Sequence, residues 1–231
     1  MSRIFVVLFL LATVCLSDDL QKYFEKADMT HNLNQKLLRS IAEHESGLNP
    51  FIVGFVLKDP FVVAAADIDL KNSPLKYKKS PYKRWSHYAI RFESADQAKN
   101  AVTWLEKVTQ TSTGYDVGLM QINSRNAHRN NWDISRLLYD PGYNIDKGAT
   151  ILSDCRNTFK SDPAKTLECY NKGTKTSNFD YVYYSSVFKK YYGKSPQKEY
   201  FVKKEPEKKN IAQASREFVL PKDYGVGRTL F

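Results

Sequence analysis

The sequence is poor in residues that commonly bind metals. It has three cysteines and four histidines among 231 residues. The histidines (His31, His44, His87 and His128) stand far apart, and none pairs with a cysteine at the spacing of a zinc finger. This scarcity argues against the common zinc-ligand patterns, so we assign no metal and no other cofactor.

The sequence also lacks an apolar run long enough to span a membrane, which requires roughly 20 residues. Its most apolar segment is Ile4–Leu16, which follows Arg3 and ends before Asp18–Asp19. This order is typical of a secretory signal peptide. We therefore predict a signal over residues 1–17, export to the periplasm, and no stable membrane span after cleavage. Retention as an anchor and lipidation at Cys15 are the alternatives.

Without the signal, two cysteines remain, Cys155 and Cys169. An even pair in an exported chain favours a disulfide, because exported proteins fold in an oxidising compartment. A crosslink over a loop of this size is worth around 3 kcal/mol. Two buried free thiols are the alternative interpretation.

Charge is strongly unbalanced, with a formal net charge of +10 and a pI of about 9.3. Such a balance fits an acidic polymer, an anionic lipid surface or nucleic acid. Export disfavours nucleic acid, and the lysines concentrate near the C-terminus and around Lys76–Arg84. The bacterial cell wall is one such acidic polymer, because its peptides carry free carboxylates, but charge alone does not choose among these partners. Hydrophobic residues at 42% supply a real core.

Three regions follow from these patterns. Residues 1–17 form the signal, residues 18–192 a folded domain with an insert at about 51–113, and residues 193–231 a basic, flexible tail that could bind a partner. Within the domain, the apolar periodicity predicts helices and strands. The strands are Phe51–Phe55 and His87–Phe92; the helices are Asn34–Glu45, Ala95–Val108, Ile145–Phe159, Pro163–Asn171 and Phe179–Tyr192; Lys76–Arg84 is a surface loop.

The helix that ends near Glu45 has a second feature of interest. Leu37 and Ile41 lie on its apolar face, and Glu45 follows Ile41 by one more turn. Gly47 is placed to end the helix in a left-handed turn. We therefore expect a partly desolvated carboxyl group, whose pKa is raised towards neutrality.

Four short motifs occur in a fixed order: Glu45–Pro50 with E-S-G, Tyr115–Asn123 with G-L-M-Q-I, Leu138–Gly148 with D-P-x-x-N-I-x-x-G, and Glu168–Gly173 with Y-N-x-G. Each motif alone is weak evidence. Together, over residues 33–190, they resemble the soluble lytic transglycosylase family. The resemblance implies a mainly α (α+β), lysozyme-like fold with a small β element in the long insert. The length of the insert resembles the subgroup that accompanies secretion and conjugation machines, which implies partners in such an apparatus, contacted through the tail.

The resemblance also implies a reaction. Such enzymes cleave peptidoglycan between N-acetylmuramic acid and N-acetylglucosamine without water, and form a 1,6-anhydro sugar. One glutamic acid, here Glu45, acts as acid and then as base. By the same resemblance, Met120, Gln121, Tyr170 and Asn171 bind the glycan, with Tyr170 also orienting Glu45.

Three further residues are expected to support the site: Ser46, Gly118 and Asp116. Asp116 is also a candidate second carboxylate. Opposite Glu45 it would permit hydrolysis of the lysozyme type, because many glycosidases use two carboxylates. A hydrolytic muramidase is therefore one alternative function. A wall-binding assembly factor with little activity is another.

Overall fold

The computed structural model describes residues 20–109 and 114–193. Most of these residues are helical. In chain order the elements are α1 (20–31), α2 (Gln35–Ser46), β1 (Ile52–Leu57), α3 (Pro60–Lys71), β2 (Lys76–Tyr82), β3 (Trp85–Arg91), α4 (Ala95–Asn100), α5 (Val102–Thr109), β4 (Tyr115–Val117), β5 (Ile122–Asn123), α6 (Ser124–Arg129), α7 (Ile134–Tyr139), α8 (Pro141–Thr158), α9 (Pro163–Lys172) and α10 (Val182–Tyr192).

Predictions on the two ends of the chain lie outside the described residues. These are the signal at residues 1–17 and the tail beyond residue 193. Within the described ranges, no helix is both long and apolar enough to cross a membrane.

The strands form one antiparallel sheet in the order β2-β3-β1-β4-β5. Strand β1 pairs with β3 on one side and with β4 on the other. One face of the sheet packs into the core, where Phe55, Tyr88 and Tyr115 are at most 2% exposed. The mainly helical fold with a small β element is as the sequence indicates.

Three details of the insert differ from the predictions. The predicted surface loop at Lys76–Arg84 is largely β2, an edge strand, and only the turn at Lys83 (φ 56°) joins it to β3. The residues of β2 are polar and mostly exposed, so they show no apolar alternation. The predicted helix over residues 95–108 is divided at Ala101 into α4 and α5, and α3 had not been predicted.

The helices α8 and α9 are joined by a disulfide between Cys155 and Cys169, which confirms the predicted pair. The two cysteines are 14 positions apart, and both side chains are fully buried. Closing a loop of this length stabilises the fold by around 3 kcal/mol. The crosslink fixes α9, which carries the Y-N-x-G motif, against the long helix α8.

Candidate active site

Glu45 lies in the last turn of α2, as its sequence predicts. Asn34 caps the start of this helix by accepting hydrogen bonds from the amides of Lys36 and Leu37. Gly47 ends it in the left-handed conformation, with φ 64°. Leu37 and Ile41 are buried, and Glu45 on the same side is half-buried. The local sequence thus places one carboxyl group at the border between core and solvent.

The direct partner of Glu45 is a tyrosine of α10. Tyr183 donates a hydrogen bond from its hydroxyl group to Oε1 of Glu45 at 2.5 Å. Its side chain is 5% exposed, and its ring meets the His44 ring edge-to-face at 5.0 Å between centroids. Burial raises the pKa of Tyr183 well above 10, so it stays a donor at neutral pH.

Tyr170 contacts Tyr183 and not Glu45 itself. Its hydroxyl donates to the backbone carbonyl of Met120 at 2.7 Å, and its ring stacks on that of Tyr183 with centroids 6.3 Å apart. Among the hydrogen bonds of the described residues, the one to Glu45 therefore comes from Tyr183 and not from Tyr170. Tyr170 therefore contacts the partner of Glu45, and its predicted role in orienting Glu45 stays a prediction.

Burial raises the pKa of Glu45 from 4.5 to about 7. The hydrogen bond from Tyr183 opposes this shift, and the negative charge of Asp116 adds to it. A carboxyl group with this pKa is partly protonated at neutral pH. It can give up a proton and take one back, which is what acid and base catalysis by one group requires.

Asp116 is a second carboxyl group in a similar environment. It lies on β4, and Asn123 of β5 donates to its Oδ1 at 2.8 Å. Burial raises its pKa to about 6, against the effect of that hydrogen bond. Its negative charge raises the pKa of both Glu45 and Tyr170.

The G-L-M-Q-I motif forms the turn between β4 and β5. Gly118 has φ 73°, and its amide donates to the carbonyl of Ile52 at 2.8 Å. A β-carbon there would lie 2.3 Å from Nδ2 of Asn144 and 2.7 Å from the carbonyl of Leu137. Only glycine fits this position.

Asn144 of the D-P-x-x-N-I motif holds this turn from below. Its side chain donates to the carbonyls of Val117 and Leu137, both at 2.9 Å, and accepts from the amide of Met120 at 2.8 Å. The residue is 1% exposed. These three buried bonds fix the turn relative to α8, and with it the carbonyl that holds Tyr170.

Two residues of the turn were expected to bind glycan. The Met120 side chain is fully buried against Gly148, where an added β-carbon would lie 2.8 Å from it. Gln121 has φ 45° and reaches back over β1, where its amide nitrogen donates to Gly118 and its Oε1 lies over Gly54. Gln121 is thus placed beside the site, and Met120 supports it from inside the core.

Ser46 and Asn171 complete the predicted set. The Ser46 hydroxyl is buried and bonds to the carbonyl of Ala42 at 2.8 Å, one turn back along α2. Asn171, in the last turn of α9 beside Tyr170, is exposed. Ser46 serves the helix that carries Glu45, whereas Asn171 keeps part of its surface available to a ligand.

Sequence reasoning missed two residues that make contacts at or near the site. Tyr183 stands in a tyrosine-rich helix, and composition alone did not single it out. Glu168, next to the disulfide, is fully buried; it accepts from the amide of Tyr184 at 3.0 Å and pairs with Lys172 at 2.7 Å. A charged residue at the start of the Y-N-x-G motif was the available signal.

Comparison with known proteins gives one match. Residues 83–191 match the family model described as Transglycosylase SLT domain. No curated protein and no solved structure matches the chain. The matched segment contains the turn at Gly118, Tyr170 and Tyr183 but begins after Glu45. The structure joins Glu45 to that segment through the Tyr183 hydrogen bond.

Proposed function

We propose that the protein cleaves the glycan strands of peptidoglycan with Glu45 as both acid and base, because residues 83–191 match the transglycosylase SLT domain, an enzyme family that acts on this polymer. The observation that supports this role is the half-buried carboxyl group, with a pKa of about 7, bonded to Tyr183. The proposed bond is the β-1,4 linkage between N-acetylmuramic acid and N-acetylglucosamine.

In this proposal the two carboxyl oxygens of Glu45 have different tasks. Tyr183 donates to Oε1, so in the protonated acid the proton belongs on Oε2. Oε2 gives this proton to the glycosidic oxygen as the bond from C1 to that oxygen breaks. The N-acetylglucosamine unit then leaves with a neutral hydroxyl group.

The second step returns the proton. The carboxylate of Glu45 removes the hydrogen from the C6 hydroxyl of the muramyl sugar while that oxygen bonds to C1. The product is the 1,6-anhydro sugar, Glu45 is protonated again, and no water is consumed. Tyr183 supports the charged intermediate state, because a hydrogen bond to a carboxylate stabilises it.

The test is Glu45→Gln, which keeps the shape of the side chain and removes the proton. Release of fragments from purified peptidoglycan should fall by about 100-fold or more, in the range typical for loss of an acid–base group. Glu43→Gln is the matched control, since Glu43 lies on the same helix but is exposed and pairs with Lys190 at 2.9 Å. Undiminished release by the Glu45 variant would refute the role of this residue.

Asp116 supports a second candidate, hydrolysis of the same bond. Its charge acts on Glu45, and paired carboxylates are the usual equipment of glycoside hydrolases. Mass spectrometry of the products separates the two reactions, because the anhydro product is one water lighter than the hydrolysed sugar. A product that carries the added water would establish the hydrolase.

We further propose that the enzyme is exported and opens local gaps in the wall for a secretion or conjugation apparatus. Support comes from the signal pattern at residues 1–17, the long insert and the formal net charge of +10. Deleting the sequence after residue 193 tests whether the tail recruits it to such an apparatus. Recruitment that survives the deletion would remove the tail from this proposal.

A further inference from the structure

The second face of the sheet carries a row of side chains that crosses all five strands. Its members, defined by the strand register, are Lys78, Ala89, Gly54, Asp116 and Asn123. Phe55, Tyr88 and Tyr115, one position along, point into the core. Since successive residues of a strand point to opposite faces, the row lies on the other side, which we call the open face.

The middle of this row has almost no side chains. Ala89 and Gly54 are the two smallest residues, and a β-carbon at Gly54 would lie only 3.0 Å from Oε1 of Gln121. The row therefore forms a low floor between Asp116 at one end and Lys78 at the other, in which Gly54 is buried beneath Gln121. A ligand that crosses this floor would rest on Gln121 and not on Gly54.

The floor continues into the site around Glu45. Gln121 lies over Gly54, and the preceding residue, Met120, accepts the hydrogen bond of Tyr170. Tyr170 in turn stacks on Tyr183, which bonds to Glu45. A glycan strand bound at Glu45 can thus extend over Gln121 onto the open face.

The far end of the floor is positively charged. Lys78 and Arg91 are both exposed and belong to the open face, Arg91 two positions after Ala89 on β3. Neither has an ion-pair partner among the described residues, whereas their neighbours Lys76 and Lys79 pair with Glu93 and Asp67. Two exposed cations without an ion-pair partner at the end of this floor favour an anionic ligand.

A third titratable group faces these cations. His87 lies two positions before Ala89 on β3, on the open face and beside Ser80 of β2. Burial lowers its pKa, and the charge of Lys78 lowers it further. His87 is therefore neutral at pH 7, and Lys78 and Arg91 supply the charge.

The spacing between Lys78 and Asp116 matches the length of a short peptide. Lys78 and Asp116 are three strand spacings apart, about 14 Å. An extended peptide covers this distance with about four residues. Peptidoglycan strands carry short peptides that end in carboxylates, attached to the muramyl sugars that Glu45 must reach.

We propose that the open face is a binding surface for the peptide-bearing part of the strand, with Lys78 and Arg91 pairing with its peptide carboxylates. This inference rests on the proposed function, since it takes the ligand to be peptidoglycan. It predicts that the protein binds glycan strands that carry peptides more tightly than strands without peptides.

The experiment measures binding and not turnover. Full-length protein with Glu45→Gln is titrated with labelled soluble glycan strands, either with their peptides or with the peptides removed by an amidase. We expect tighter binding of the peptide-bearing strands, by about fivefold to tenfold, from two exposed ion pairs. Adding Lys78→Ala and Arg91→Ala should abolish this preference.

The matched control replaces Lys71 and Lys107 by alanine, two exposed lysines on α3 and α5. It removes the same charge and should leave the preference intact. The preference should also shrink as salt is raised, because exposed charges are screened. Equal loss in both double variants, or no preference in the parent protein, would overturn the proposal.

Failure of the proposed function would look different. In that case the unmodified protein would not cut either kind of strand, whatever the binding experiment shows. Because Lys78 and Arg91 are exposed, their replacement should not affect folding, and thermal unfolding of both double variants checks this point.

Discussion

The helices around Glu45 and the open face of the sheet differ in whether their polar groups have partners within the protein. Near Glu45, the polar atoms are held by defined partners: Tyr183 on the carboxylate, Met120 on Tyr170, and Asn144 under the turn. On the open face, Lys78 and Arg91 point outwards, with no ion-pair partner among the described residues. The first region has its partners built in, and the second leaves room for a ligand.

The difference follows from what each region has to do. Proton transfer needs a carboxyl group held at a fixed place with a shifted pKa, and burial and buried hydrogen bonds together provide both. A surface that binds a variable polymer gains from side chains that can adapt. Three substitutions examine whether the two regions really differ in this way.

The largest effect should come from Gly118→Ala. Its β-carbon would overlap Asn144 in a backbone conformation that alanine disfavours, so we expect a loss of about 3 kcal/mol or more in the free energy of unfolding. Denaturant unfolding measures it. Gly47→Ala is the control, because Gly47 also has a positive φ but no atom within 4 Å of an added β-carbon. Similar losses at both glycines would show that the turn is not tightly held.

A smaller effect concerns the pH dependence of stability. The pKa of Glu45 is raised in the folded protein, so folding favours the protonated carboxyl group. The contribution of Glu45 to the free energy of unfolding is therefore fully present below about pH 4.5 and is lost as the pH rises through 7. Glu45→Gln cannot ionise and should be more stable than the unmodified protein at pH 8, by about 2 kcal/mol, with little such gain at pH 4. Unfolding curves at both pH values provide the measurement.

Glu43→Gln is again the reference, since Glu43 is exposed. It should show no stabilisation at pH 8. If Glu45→Gln also shows no stabilisation at pH 8, then the carboxyl group of Glu45 is not desolvated. The proposed contrast between the two regions would then be wrong.

The smallest effect links the two regions. Asp116→Asn removes a negative charge that raises the pKa of Glu45, so the alkaline limb of kcat/KM should move to lower pH by about half a unit. The pH profile on soluble glycan strands shows this. Asp154→Asn, an exposed site on α8, should leave the profile in place. A loss of rate by about 100-fold would instead identify Asp116 as a second catalytic carboxylate.

Some of this site could be predicted from the sequence. Helix α2 has an apolar stripe that continues to Glu45 and a glycine that ends it, so the position of the carboxyl group followed from periodicity. The disulfide followed from cysteine count and the predicted export. The first prediction needs only the sequence of one helix, and the second needs only the number of cysteines that remain after export.

The rest depends on contacts between distant segments. Tyr183 is 138 positions from Glu45, and no local pattern distinguishes it from the neighbouring tyrosines. Strand β2 is polar because it forms the edge of the sheet, so its sequence has no apolar face to reveal it. The open face itself exists only through the register of five strands.

The buried carboxylate of Glu168 has one more consequence. The N-cap residue of α10, Tyr181, makes no capping hydrogen bond with its side chain; Asp180 accepts from the amide of Val182, and Glu168 of α9 accepts from the amide of Tyr184. The start of α10 therefore depends on a neighbouring helix that is crosslinked to α8. In hydrogen exchange, the first turn of α10 should share the slow exchange of α9 and not fray alone. Tyr183 thus remains beside Glu45 for as long as the crosslinked helices remain closed.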